Sequence, residues 1–228
     1  MRVLCIGDSL GLPRKGVCYE DTWFYKLQTE YPSIEFIDFF QRRLLISTAL
    51  TNFEEYYVHY PSDVVIIQTG ICDCAPRYIN ENEFIWKLLL WLGGLTHTTK
   101  LLWRIIKRGN RKPNVTLTSY DDFNEKYRIL VNRFLSEGRA KNIIIVKIGH
   151  GDKRITSKSE YFNSNADKYN SIFDKIKKDY GNKIFVIDPL NKESEEYFAD
   201  GYHCSEKGMD EVFICLKDIF EKIIKCYE

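Results

Sequence analysis

Apolar residues in this chain follow two spacings. Short unbroken runs rich in Val and Ile occur at 3–6, 34–39, 64–69, 143–148 and 184–187. Between them, longer stretches bring an apolar residue round every third or fourth position. Unbroken β-branched runs predict strands covered on both faces, which means a parallel sheet under helices. The helical spacing predicts helices over 22–30, 52–59, 120–136, 163–179 and 205–226. The last places Val212, Leu216, Ile219 and Ile223 on one face, with Ser205 as its N-cap. This alternation predicts an α/β fold: a three-layer α/β/α sandwich around a five-stranded parallel sheet. Its ligands should bind beyond the C-terminal ends of the strands.

That rule selects candidate chemistry. Ser9 follows the first run, Gly70-Ile71-Cys72-Asp73 the third, and Gly149-His150-Gly151-Asp152 the fourth. Asp200 and His203 lie beyond the fifth, before the last helix. All of them fall at one edge of the expected sheet. A serine on a strand-to-helix turn, with a carboxylate and a histidine three residues apart, is the set that acyl transfer through a serine requires. The hydroxyl is a weak nucleophile until a base takes its proton, and the base needs a partner to fix its tautomer.

Length and composition narrow the setting. The 228 residues predict one domain, 1–228, and a net charge of +1 gives no case for nucleic-acid binding. The seven cysteines form an odd set without disulfide-framework spacing, and the first strand leaves no room for a signal peptide ahead of it. Both point to a cytoplasmic protein. Cys72, Cys74 and His203-Cys204 do not carry zinc-ligand spacing, so neither metal nor cofactor is expected.

One stretch stands apart. Between Glu83 and Asp121 there is no acidic residue, while Lys87, Lys100, Arg104, Lys107, Arg108, Arg111 and Lys112 accompany Trp86, Trp91 and Trp103. The stretch 84–120 reads as a helical insertion split at Gly93-Gly94, too short in its apolar part to span a bilayer. Its apolar side chains have three candidate partners: the sheet, a second copy of the chain, or an anionic membrane surface or glycolipid at the inner face of the membrane, met through 84–112. The sequence does not decide oligomeric state.

The residues above resemble the SGNH (GDSL) hydrolase family over essentially the whole chain. Gly7-Asp8-Ser9 matches its first block, Gly70-x-x-Asp73 its third, and Asp200-x-x-His203 its last. The resemblance implies a flavodoxin-like SGNH fold, with Ser9 as nucleophile, His203 as base and Asp200 as its orienting group. Asp8, Gly70, Cys72, Asp73, Arg77 and His150 would then surround the oxyanion and the substrate. Two departures stand out: the segment 40–47 has no second-block glycine, and Cys72 occupies the place of the oxyanion-hole asparagine. A thiol is a poor donor, so Arg77 is the candidate replacement or a clamp for a substrate anion. The segment 68–77 also resembles SGNH proteins that accompany bacterial capsule and surface-polysaccharide synthesis. The expected activity is removal of an ester-linked acetyl group from a carbohydrate. The alternatives are acyl transfer to a sugar hydroxyl, or a silent glycan-binding or assembly protein.

Overall fold

The structure is a computed structural model and describes residues 1–77, 84–95, 98–101, 114–192 and 194–225. Five parallel strands form the sheet: β1 (Arg2–Gly7), β2 (Glu35–Phe40), β3 (Val64–Gln68), β4 (Asn142–Val146) and β5 (Ile184–Ile187). Their spatial order is β2-β1-β3-β4-β5. The expected α/β/α sandwich is therefore present.

Side chains of the central strands alternate between two cores, as the two-residue strand period requires. Leu4 and Ile6, Val65 and Ile67, and Ile143 and Ile145 point into one layer. Val3 and Cys5, Val64 and Ile66, and Ile144 and Val146 point into the other. The first layer is closed by α2 (Ile46–Glu55), α5 (Tyr120–Ser136) and α7 (Tyr161–Tyr180). The second is closed by α1 (Trp23–Glu30) and α8 (Glu206–Ile224). Thr22 and Ser205 cap α1 and α8 by accepting from Tyr25 N and Gly208 N.

The structure departs from the sequence pattern in four places. Burial on both faces holds for β1, β3 and β4, but β2 and β5 lie at the sheet's edges and are only partly covered. Helix α2 starts at Ile46, because a distant carboxylate caps it, and Tyr57–His59 forms a separate 3₁₀ turn. Two short helices, α3 (Ile71–Cys74) and α6 (Lys153–Thr156), have no periodic signal. Helix α4 (Phe84–Leu95) runs through Gly93-Gly94 without the expected split. Leu88, Leu89, Trp91 and Leu92 are exposed on it, Trp91 by 62%, so these four do not pack on the sheet. The basic cluster at 104–112 lies outside the described residues. Among those described, no helix is long and apolar enough to cross a membrane.

The chain passes from β1 outward to β2, then returns to β3 on the other side of β1. The order of strands reverses there, and an open α/β sheet leaves a crevice beyond the strand ends at such a point.

Candidate active site

The crevice is built from the turns after β1 and β3 and from the loop between β5 and α8. Gly7 ends β1 beside Gln68 of β3. A Cβ on Gly7 would stand 2.3 Å from Phe40 Cε1, so glycine is what lets the aromatic ring close against this turn. Asp8 N–H donates to Gln68 O at 3.0 Å, and Asp8 Oδ1 accepts from Leu10 N–H at 2.9 Å. The turn is held from inside, and Ser9 is left partly exposed at its crest.

His203 reaches Ser9 from the far end of the chain. Its Nε2 lies 3.0 Å from Ser9 Oγ, and its Nδ1 lies 2.8 Å from Asp200 Oδ2. Asp200 Oδ1 also accepts the His203 backbone N–H at 3.1 Å, fixing ring and backbone together. Partial burial opposes ionisation of Asp200, but hydrogen bonds from the His203 side chain and backbone outweigh it and hold the carboxyl below its ordinary value. Burial, followed by the nearby Arg14 guanidinium, lowers the His203 pKa against the pull of Asp200. The imidazole is therefore neutral at physiological pH. With Nδ1–H directed at Asp200, Nε2 is ready to accept the serine proton.

Two arginines that the motifs do not reveal brace this arrangement. Arg14 Nη2 donates to Ser9 O, and Arg14 is itself held by a bridge to Val17. Arg154 Nη2 donates to Phe198 O at 2.7 Å and its Nη1 to Ala199 O at 3.3 Å, while its Nε lies 3.0 Å from the buried Asp152 carboxylate. Asp152 N–H in turn donates to Gly201 O at 2.8 Å. This pair grips both sides of Asp200. A cationic residue five positions beyond the serine was the available signal for Arg14; Arg154 gave none.

The residues after β3 serve different purposes. Gly70 has a φ of 120°, a conformation that side chains rarely adopt, and an added Cβ would meet Ile148 at 3.0 Å. It makes the turn that starts α3. Asp73 is fully buried and accepts from Ile46 N–H, 3.2 Å from each carboxylate oxygen, and from Thr118 Oγ1 at 2.5 Å. It thereby caps α2 and ties the turn after β3 to the segment leading into α5. Burial raises the Asp73 pKa to about 6 and that of Asp8 to about 7.

Cys72 is 8% exposed and faces the cavity above Ser9. Burial, with the Asp8 and Asp73 carboxylates, pushes its thiol pKa up to about 12. It is a neutral thiol, unsuited to nucleophilic attack. Arg77 lines the same cavity, of about 810 Å³, and its backbone N–H is fixed to Val115 O at 2.7 Å. His150 is turned away: its Nε2 lies 2.6 Å from Asp167 Oδ1, and it is not part of the cavity wall. In the second-block segment, Arg43 takes the left-handed conformation with φ of 60°, so an arginine makes the kind of turn that glycine usually makes. Among the described residues, no cluster of His, Cys, Asp and Glu is placed to hold a metal.

No protein-family model matches this chain, and no curated protein matches its sequence. Solved structures match its shape. An acetyl xylan esterase superposes with a TM-score of 0.65 at 18% identity, covering 96% of this chain and 99% of that one. A lipolytic protein of the G-D-S-L family from Veillonella parvula gives 0.64 at 13% identity, covering 96% and 98%. The lipase/acylhydrolase from Enterococcus faecalis gives 0.63 at 13%, covering 95% of each chain. The chain thus has the α/β fold of the SGNH hydrolases. That fold hosts many substrates, so activity must be argued from the site.

Proposed function

We propose that this protein is a serine esterase that removes an acyl group, expected to be acetyl, from a carbohydrate ester. The observation that carries the reading is the continuous Ser9–His203–Asp200 chain of hydrogen bonds, 3.0 and 2.8 Å long, at the wall of an open cavity. His203 Nε2 takes the Ser9 proton as Oγ attacks the ester carbonyl. The tetrahedral oxyanion forms beside the Ser9 backbone N–H, which donates to no protein group among the described residues. Collapse expels the alcohol, which leaves with the proton from His203. Water then gives its proton to the same Nε2 and attacks the acyl-serine; the carboxylic acid departs and Ser9 recovers its hydrogen. No cofactor enters the sequence of steps.

The carbohydrate assignment is supported by acetyl xylan esterases among the structural neighbours, one of them from Geobacillus stearothermophilus at 14% identity and a TM-score of 0.61. The polysaccharide setting is supported by the likeness of 68–77 to the capsule-associated subset. Cysteines without disulfides among the described residues support a cytoplasmic location, and the exposed apolar side of α4 beside Lys87 supports contact with an anionic membrane surface.

One observation favours a second reading. Cys72 supplies no strong donor where an amide would serve the oxyanion, and losing one such donor costs about 10²–10³ in rate. A protein with that loss could retain the fold as a glycan binder. A serine-directed fluorophosphonate separates the two. Labelling at Ser9, abolished by Ser9→Ala together with hydrolysis of a chromogenic acetyl ester, is the expected result. Equal hydrolysis by parent and Ser9→Ala removes the esterase proposal, and absence of both labelling and turnover favours the binder.

A further inference from the structure

The cavity over Ser9 has a charge that composition does not explain. Among the described residues, its wall includes Arg42, Arg43, Arg77 and Lys158 and no aspartate or glutamate. The whole chain is nearly balanced, with 33 basic and 32 acidic residues, so this excess is local. The cations come from three separate segments: the β2–α2 connection, the stretch after α3, and the turn between α6 and α7. Nothing in local sequence periodicity forces such a convergence.

Three carboxylates around the site take hydrogen bonds from other groups. Asp8 accepts from Leu10 N–H, Asp73 from Ile46 and Thr118, and Asp200 from His203. Among the described residues, no carboxylate lies within ion-pair distance of Arg42, Arg77 or Lys158. Arg77 Nε is buried and has no acceptor among the described residues. A buried guanidinium donor without an acceptor is costly, and guanidinium presents paired donors that match phosphate and carboxylate oxygens. Like charges gathered in one concave wall also focus their field outward into the cavity, where it attracts anions.

We infer that this wall receives an anionic substituent, phosphate or carboxylate, on the same molecule that presents its ester to Ser9. The inference rests on the esterase reading for the ester and on the cavity wall for the charge. Arg77, rigidly set by Pro76 and by the bridge to Val115, engages the anion from the half-buried side. Arg42 and Lys158 hold it from the exposed rim. Ile71, Phe162 and Tyr202 complete an apolar wall against which a sugar ring or acyl chain can lie.

The test compares kcat/KM for O-acetylated glucose, glucuronic acid and glucose 1-phosphate at fixed ionic strength. An anionic substrate is expected to exceed the neutral one by at least about 10-fold, the scale of one charge-assisted hydrogen bond. Greater gain with the phosphate or with the glucuronate identifies which anion is read. The ratio of anionic to neutral should collapse towards unity in Arg77→Gln and Arg42→Gln. Lys158→Gln is an exposed change that should lower the same ratio without threatening the fold. A parent ratio within about twofold of unity, with neutral ester still hydrolysed, overturns the inference and leaves the esterase reading standing. If no ester is hydrolysed, that reading fails, and calorimetry on Ser9→Ala decides the charge proposal. Glucose 1-phosphate or glucuronate should then bind at least about 10-fold more tightly than glucose, and equal affinities overturn it.

Discussion

At the scale of single residues, Arg14 is the most informative side chain beyond Ser9, Asp200 and His203. It lies close enough to His203 to lower the imidazole's pKa, second only to burial, while its Nη2 holds the Ser9 carbonyl. The base works only when deprotonated, so hydrolysis should persist below the ordinary histidine pKa of about 6.5. Replacing Arg14 by Gln removes one depressing influence and leaves Asp200 pulling upward. The acid limb of the kcat/KM profile should therefore move to higher pH, with a loss of rate at neutral pH. A pH–rate profile of Arg14→Gln that keeps the parent's acid limb would show that the guanidinium does not set the base. The convergence of Ser9, Asp200 and His203 was legible in sequence because each sits in a short motif beyond a strand end. Arg14 and Arg154 were not, because a cation in a loop looks the same whether it braces a site or faces water. His150 illustrates the complementary point: a place at the correct sheet edge does not decide which way a ring turns, and its Nε2 lies beside Asp167 Oδ1.

At the scale of elements, the site is held by groups that cross between segments. Asp73 caps α2 from 27 positions away, which is why the start of that helix at Ile46 was invisible to periodicity. The same cap fixes the connection that carries Arg42 and Arg43, so the turn after β3 and the cationic rim are set by one carboxylate. The short helix α6 acts similarly on the triad. Arg154 and Asp152 together hold Phe198 O, Ala199 O and Gly201 O, the backbone on both sides of Asp200. Arg154→Gln should loosen this turn and lower kcat by roughly 10- to 100-fold, since an error of an ångström in a reacting group costs on that scale. KM for a small acetyl ester should change little, and steady-state kinetics would separate the two. A large KM change with kcat intact would mean that α6 shapes the cavity rather than positioning Asp200.

At the scale of the whole molecule, two carboxylates beneath the site tie stability to pH. Asp8 has its pKa raised by burial from 3.8 to about 7, and Asp73 to about 6. A carboxyl whose folded pKa exceeds its unfolded value binds protons more tightly in the folded state. Its contribution is present below about pH 4 and is lost as pH rises towards the folded value. For Asp8 the loss between pH 4 and 8 is up to roughly 4 kcal/mol, from about 1.4 kcal/mol per pKa unit. Asp8→Asn, which carries no such proton, should gain stability relative to the parent across that interval, measured by denaturant unfolding at several pH values. A stability difference that stays flat with pH would show that Asp8 titrates normally. The sandwich itself was readable from the runs at 3–6, 64–69 and 143–148, whose alternate residues feed two cores. The edge strands and α4 were less so, because apolar content alone does not report how much neighbouring chain covers it.

Ser9 and His203 are 194 positions apart, joined only when β1 lies in the sheet and the loop ahead of α8 has closed over it. Labelling of Ser9 by a fluorophosphonate would therefore also report that strands and loops far apart in the chain have assembled around it.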